Sequence, residues 1–276
     1  MRTIGVLTGL SYVSGIDYYR GINEHVAKLM PKGAVMAKNS EMVIVSLDCD
    51  GYVELLTAKN DDGTKEYLFR GVKKLHSAGV DFLVIASNTA HMCYDLVRSR
   101  LPDLPVLHIA DCTAAAARGK GRVGLLGTEP TMRDGSWLKS RLALHGIEVC
   151  VPESPEDRRR CYNIICQELS FDILKDESRA FFAALARRLH HEEGAVGGVV
   201  LGCTEIELLL RQSDVPDVPL YRSAELHIEA AARVQTGAAA LETYMPRNAT
   251  VAEKEELVRE PTAKQAKTET CGPCVT

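Results

Sequence analysis

The sequence predicts an α/β protein of two pseudo-symmetric halves, each a doubly wound, mainly parallel sheet, with the active site in the cleft between them. Two observations carry this. Short runs that are apolar on both faces alternate with stretches of amphipathic helical spacing, the pattern of buried parallel strands covered by helices. The chain also repeats itself. TIGVLTG from Thr3 is echoed by RVGLLGT from Arg122, FLVIASNTAH from Phe82 by GVVLGCTEIE from Gly198, and LPDLPVLHIADCTAAAA from Leu101 by VPDVPLYRSAELHIEAA from Val215. Matching segments in the same order at one offset, about 114 to 119 residues, point to two similar halves.

The apolar runs place strands at 3–9, 41–48, 81–88, 122–128 and 197–204. Helices are expected at 15–30, 63–79, 90–101 and 177–192, where apolar residues recur every three to four positions. The first half takes residues 1–116, with 226–245 packing back on it, and the second takes 117–225. From Pro246 the chain is charged, free of aromatics and poor in large apolar residues, so 246–276 is expected to be a disordered tail.

Composition narrows the function. The 276 residues carry a net charge of -4 with both signs interspersed, so no basic stripe invites nucleic acid and no polybasic patch invites a membrane. No apolar stretch reaches the length of a membrane span, and the N-terminus lacks a signal-peptide core. Nine scattered cysteines fit a reducing compartment, and a cytoplasmic location is expected. The expected partner is a small carboxylate or amino acid, and a homo-oligomer is compatible with the sequence. No His, Cys and carboxylate cluster has metal-site spacing, so no metal is expected. CGPC at Cys271 to Cys274 ends the charged tail instead of opening a helix after a strand, and NAT at Asn248 matters only in a secreted chain.

The stretch FLVIASNTAH raises the functional question, because four polar side chains follow a buried strand: Ser87, Asn88, Thr89 and His91. In the repeat Ser87 is the counterpart of Cys203. Both end a strand and precede a helix, where open α/β sheets bind ligands and backbone N–H groups favour an anion. A thiol at a helix N-terminus is expected to have a lowered pKa, which makes Cys203 the candidate base or nucleophile. Ser87, Asn88, Thr89 and Thr204 could equally cap helices, and Glu205 could act only at a helix start.

These residues carry a resemblance. GLSYVSGIDYYRGIN, ASNTAH, GRVGLLGT with TM following, QELSFDILKDESR and LGCTEIELLL are similar, in family order and over nearly all of residues 1–245, to the cofactor-independent aspartate/glutamate racemases. The resemblance implies proton removal next to a carboxylate without pyridoxal phosphate. It implies Cys203 and Ser87 as the catalytic pair, with substrate held by Ser11, Asn88, Thr89, Thr128, Thr131, Thr204 and Glu205, and with His91 and His227 buttressing them.

Two departures from the family pattern stand out. Ser87 occupies the place of a first thiol, and a serine hydroxyl is too weak an acid to be an equivalent base without an activating partner. After the second strand, Asp48, Cys49 and Asp50 stand where aspartate-selective members carry an arginine; the two acids read as a solvated turn or as part of a distal pocket that repels a second carboxylate. Amino-acid racemase is the leading expectation. A dimethylsulfoniopropionate lyase, a single-cysteine decarboxylase and a non-catalytic carboxylate-binding protein are the alternatives.

Overall fold

The computed structural model describes residues 1–31, 36 and 38–246. The tail expected from Pro246, with Asn248, Cys271 and Cys274, lies beyond Pro246 and outside the described residues. In the first half, β1 (Ile4–Thr8), α1 (Tyr12–Leu29), β2 (Met42–Ser46), α2 (Cys49–Thr57), α3 (Asp61–Ser77) and β3 (Phe82–Ile85) are followed by α4 (Tyr94–Arg100), β4 (Val106–Leu107) and α5 (Ile109–Ala116). The second half runs β5 (Val123–Leu126), α6 (Glu129–Met132), α7 (Trp137–Leu144), β6 (Val149–Cys150), α8 (Pro155–Gln167), α9 (Asp176–His191), β7 (Val199–Leu201), α10 (Ile206–Leu209), β8 (Leu220–Arg222) and α11 (Ser223–Thr236).

Each half forms a four-stranded parallel sheet, in the orders β2-β1-β3-β4 and β6-β5-β7-β8. The two orders are the same when the repeat is superposed, which explains the sequence echo: equivalent segments fill equivalent strands. The central strands β1, β3, β5 and β7 are buried along their whole length, as their unbroken apolar runs require. β2 is an edge strand, and Ile44 on it is exposed.

Differences from the expected elements have local causes. The helix expected at 90–101 begins as a 3₁₀ turn over Thr89–Cys93, because Ser87 O receives the His91 Nδ1 hydrogen bond. β4, β6 and β8 span only two or three residues, too short to show a period.

The halves exchange helices. Ala110, Ala114 and Ala117, on and just after α5, belong to the core of the second half, while Ala224, Ile228 and Ala231 of α11 pack with Tyr18, Ile22 and Val26 of α1. Gly21 makes the α1 and α11 approach possible, since a β-carbon there would lie 2.8 Å from Ile228 Cγ2. Between the halves, Arg141 Nε and Nη2 of α7 each donate to Asp111 of α5 at 2.7 Å, and His145 Nε2 lies 2.8 Å from the same carboxylate. No helix among the described residues is long and apolar enough to cross a membrane.

Candidate active site

The ends of β3, β5 and β7 open on a single cavity of about 840 Å³ between the halves. Of the residues singled out in the sequence, Ser87, Asn88, Thr89, Thr128, Cys203, Thr204 and Glu205 line it. Ser11, Thr131, His91 and His227 do not. Thr131 Oγ1 stands behind the wall, 3.0 Å from Thr128 Oγ1 and 3.4 Å from Thr89 Oγ1. Ser11 Oγ is buried without a hydrogen-bond partner.

Cys203 follows β7 through Gly202, where a β-carbon would meet Leu125 Cδ1 at 2.5 Å, so only glycine lets the strand end turn into the cleft here. The Cys203 thiol is 7% exposed and donates to Glu205 Oε2 at 2.9 Å. The same carboxylate accepts from Thr204 Oγ1 at 2.9 Å and, across the cleft, from Ser14 Oγ at 2.8 Å. Burial first and the neighbouring Glu205 second push the thiol well above its ordinary pKa. This corrects the expectation of a lowered value. The helix after Cys203, α10, has a single turn, too little macrodipole to outweigh desolvation and an adjacent carboxylate.

Ser87 lies on the wall from the first half. Its Oγ meets only the Ala90 N–H, at 3.4 Å, among the described residues. His91 turns away from that hydroxyl: its Nδ1–H donates to Ser87 O at 2.8 Å and its Nε2 accepts from Ile109 N–H at 3.2 Å. Both ring nitrogens are thereby used, and burial pulls the imidazole down to about 3. His227 is equally committed, with Nε2–H to Leu107 O at 2.9 Å and Nδ1 accepting from Tyr18 Oη at 2.8 Å.

Asn88 is 3% exposed. Its Nδ2 donates to Ser223 Oγ at 2.9 Å, and its main-chain carbonyl accepts from Trp137 Nε1 of the other half at 2.8 Å. Its Oδ1 is buried with no hydrogen-bond partner among the described residues. Around it, the hydroxyls of Thr89 and Thr128 form a cluster, 3.4 Å apart.

Of the two readings of the acids after β2, the pocket one fails. Asp48 caps α2, accepting from Gly51 N–H at 3.2 Å, and neither Asp48 nor Asp50 lines the cavity. Cys49, Tyr52, Val53 and Leu56 of α2 do, and α8 supplies Arg158, Arg159, Tyr162, Ile165 and Cys166 from the opposite side. The only tryptophan, Trp137, is also in the wall. These residues lie on helices whose inward positions are set by packing, so only the rarity of tryptophan could have flagged one of them. Among the described residues no group of three or more His, Cys, Asp or Glu could hold a metal ion.

The chain can be compared with known proteins on this geometry. The family model described as Asp/Glu/Hydantoin racemase matches residues 7–231. Over 221 residues the chain is 28% identical to the broad specificity amino-acid racemase RacX of Bacillus subtilis (strain 168), an alignment spanning 77% of this chain and 90% of the relative. A candidate Asp/Glu racemase from Yersinia pestis superposes with a TM-score of 0.74 at 32% identity, covering 86% of this chain and all of that one. An aspartate racemase homologue from Pyrococcus horikoshii OT3 does so with a TM-score of 0.68 at 28% identity and the same coverage.

Proposed function

Since the chain belongs to the Asp/Glu/hydantoin racemase family, we propose that it racemises an α-amino acid without a cofactor, with Cys203 moving the α-proton. The observation that supports this most directly is the Cys203 thiol on the cavity wall, hydrogen-bonded to Glu205 Oε2 at 2.9 Å. Glu205 is the group to which the thiol proton passes, leaving a thiolate. An α-ammonium held in the cleft brings a positive charge beside this pair and favours the thiolate, offsetting the burial that otherwise opposes it.

The thiolate then takes the α-proton. The C–H bond breaks, an S–H bond forms, and the electron pair delocalises into the substrate carboxylate. The Thr89 and Thr128 hydroxyls and the strand-end N–H groups hold that carboxylate and stabilise the charge that builds there. Return of the proton from Cys203 restores the starting enantiomer. Delivery from the Ser87 side, by its hydroxyl or by a water it holds, inverts the centre, and the proton left on Glu205 returns through solvent to the hydroxyl or water that gave its own.

The test is incubation with L-amino acids in deuterated water, following α-proton exchange by NMR and inversion by chiral chromatography. Exchange that depends on Cys203 supports the reading, and exchange outrunning inversion is expected because Ser87 has no base beside it. Tight ligand binding with no exchange for any α-amino acid would make the protein a carboxylate-binding protein instead.

A further inference from the structure

The cavity wall changes character with depth. Its most buried side chains, Tyr52, Asn88, Ile165, Cys203, Thr204 and Glu205, include no cation. Every lysine and arginine of the lining stands further out: Lys59, Arg133 and Arg159 are exposed and Arg158 is half-buried. They converge from both halves, Lys59 from the end of α2, Arg133 from the end of α6, and Arg158 and Arg159 from α8. Arg133 lies 3.6 Å from Asp61 Oδ2, and Arg158 donates to the carbonyls of Pro152 and Glu153. The Lys59 and Arg159 side chains have no hydrogen-bond or ion-pair partner among the described residues. Asp61 and Glu129 are the acids at the same rim, so cations outnumber them four to two.

Lys59 is also unusual in its backbone. Its φ is 53°, in the left-handed region, at the position after α2 where Lys59 N–H and Asn60 N–H bond back to Leu56 O and Leu55 O. Such helix ends favour glycine or asparagine, because a β-carbon is strained there. A lysine is held against that preference at a point from which its side chain lines the cavity, and strain of this kind concentrates at functional sites.

We propose that these outer cations form a subsite for an anionic end group, so that the substrate is an α-amino acid with a side chain long enough to carry a carboxylate past the neutral wall to the rim. This rests on the racemase reading for the inner site. A volume of about 840 Å³ lies in the range of roughly 300–1,000 Å³ that buries drug-sized ligands, with room well beyond an α-amino and α-carboxyl group. The inner wall of Tyr52, Ile165 and Cys166 offers no cation to a short second carboxylate such as that of aspartate.

Calorimetric binding of aspartate, glutamate, 2-aminoadipate and 2-aminopimelate, with uncharged 2-aminoheptanoate as the control, tests this. At low salt 2-aminopimelate is expected to bind about tenfold tighter than either aspartate or 2-aminoheptanoate, a margin that shrinks as salt is added. Lys59→Gly combined with Arg159→Gln should bring the ratio of 2-aminopimelate to 2-aminoheptanoate affinity close to one. Glycine suits the left-handed position, so the fold is not penalised by this change. Equal binding of the acid and its uncharged counterpart by the unsubstituted protein, or a ratio that survives both substitutions, overturns the proposal. Because calorimetry needs no turnover, charge-selective binding without α-proton exchange would sink the racemase reading alone and leave the outer subsite standing.

Discussion

The Cys203 thiol and the Glu205 carboxylate form a hydrogen-bonded pair at 2.9 Å, two residues apart and joined to the opposite half through Ser14. The pair gives each member a different task. In the proposed reaction Cys203 takes the α-proton and Glu205 accepts the thiol proton, while in the empty site burial and then the Glu205 charge raise the thiol. Glu205→Gln separates these effects. Turnover should fall by about 10²- to 10⁴-fold, the usual worth of a positioned proton acceptor. Alkylation of Cys203 by iodoacetamide should meanwhile shift to lower pH, because the charge that adds to burial in raising the thiol is gone. Unchanged turnover would remove Glu205 from the proton path.

Catalysis should depend on Cys203 far more than on Ser87. Cys203→Ser replaces the thiol with a hydroxyl that stays protonated near neutral pH, and the rate should drop by several orders of magnitude. Ser87→Ala should cost about tenfold to a hundredfold, since the hydroxyl meets only the Ala90 N–H and no basic side chain. Ser87→Cys puts a thiol on the wall facing Cys203 and should raise inversion relative to exchange. Equal losses in Cys203→Ser and Ser87→Ala, read from α-proton exchange rates, would mean that Ser87 is itself activated.

The part of the site that sequence reasoning assembled is the part attached to central strands. Ser87, Thr128 and Cys203 follow β3, β5 and β7, and a buried parallel strand announces both its position and the direction of its end. The repeat then set Ser87 and Cys203 in equivalent places. Side chains delivered by helices were not legible. Tyr52 and Cys166 reach the cavity from α2 and α8 only because of how those helices lie on the sheets. Asp48 admits both a turn and a pocket reading because its role as helix cap, accepting from Gly51 N–H, has no distinct mark in sequence. The Cys203 thiol was assigned the wrong direction of pKa shift for a similar reason: the length of α10 and the reach of Glu205 are three-dimensional facts.

The two halves should be held together in part by Asp111 and Arg141. Both are nearly buried, at 4% and 10% side-chain exposure, and the guanidinium grips the carboxylate with two bonds of 2.7 Å. Arg141→Met leaves Asp111 in the interior with only His145 beside it, and should cost about 3–5 kcal/mol in urea unfolding. Arg141→Met with Asp111→Leu should cost less than Arg141→Met alone, because no uncompensated charge remains. A double variant that is the less stable of the two would contradict this.

Acid should destabilise the fold from about pH 6.5 downward through three buried histidines. His91, His108 and His227 cluster behind the cavity, with ring centroids 4.3 Å apart for His91 and His108 and 5.9 Å for His91 and His227. Each accepts a hydrogen bond at one ring nitrogen, His91 from Ile109 N–H, His108 from Ala110 N–H and His227 from Tyr18 Oη, so each is built into the fold as the neutral form. Burial lowers all three, His91 to about 3 and His227 to about 4. The unfolded chain therefore binds more protons than the folded one between roughly pH 6.5 and these values, and stability falls as pH falls through that window. Each histidine that stays neutral at pH 5 lowers stability by about 2 kcal/mol relative to pH 7.5 or above. Urea unfolding at a series of pH values should show a histidine contribution approaching three protons below pH 6, offset by up to one proton from buried Glu207, whose carboxyl is pushed up to about 8 by burial. Imidazole NMR signals of these residues should show no titration in the folded protein down to pH 5. A folded-state midpoint near 6.5 for His91 or His227 would show that the ring is free to charge, and the predicted acid loss would then shrink by that residue's share.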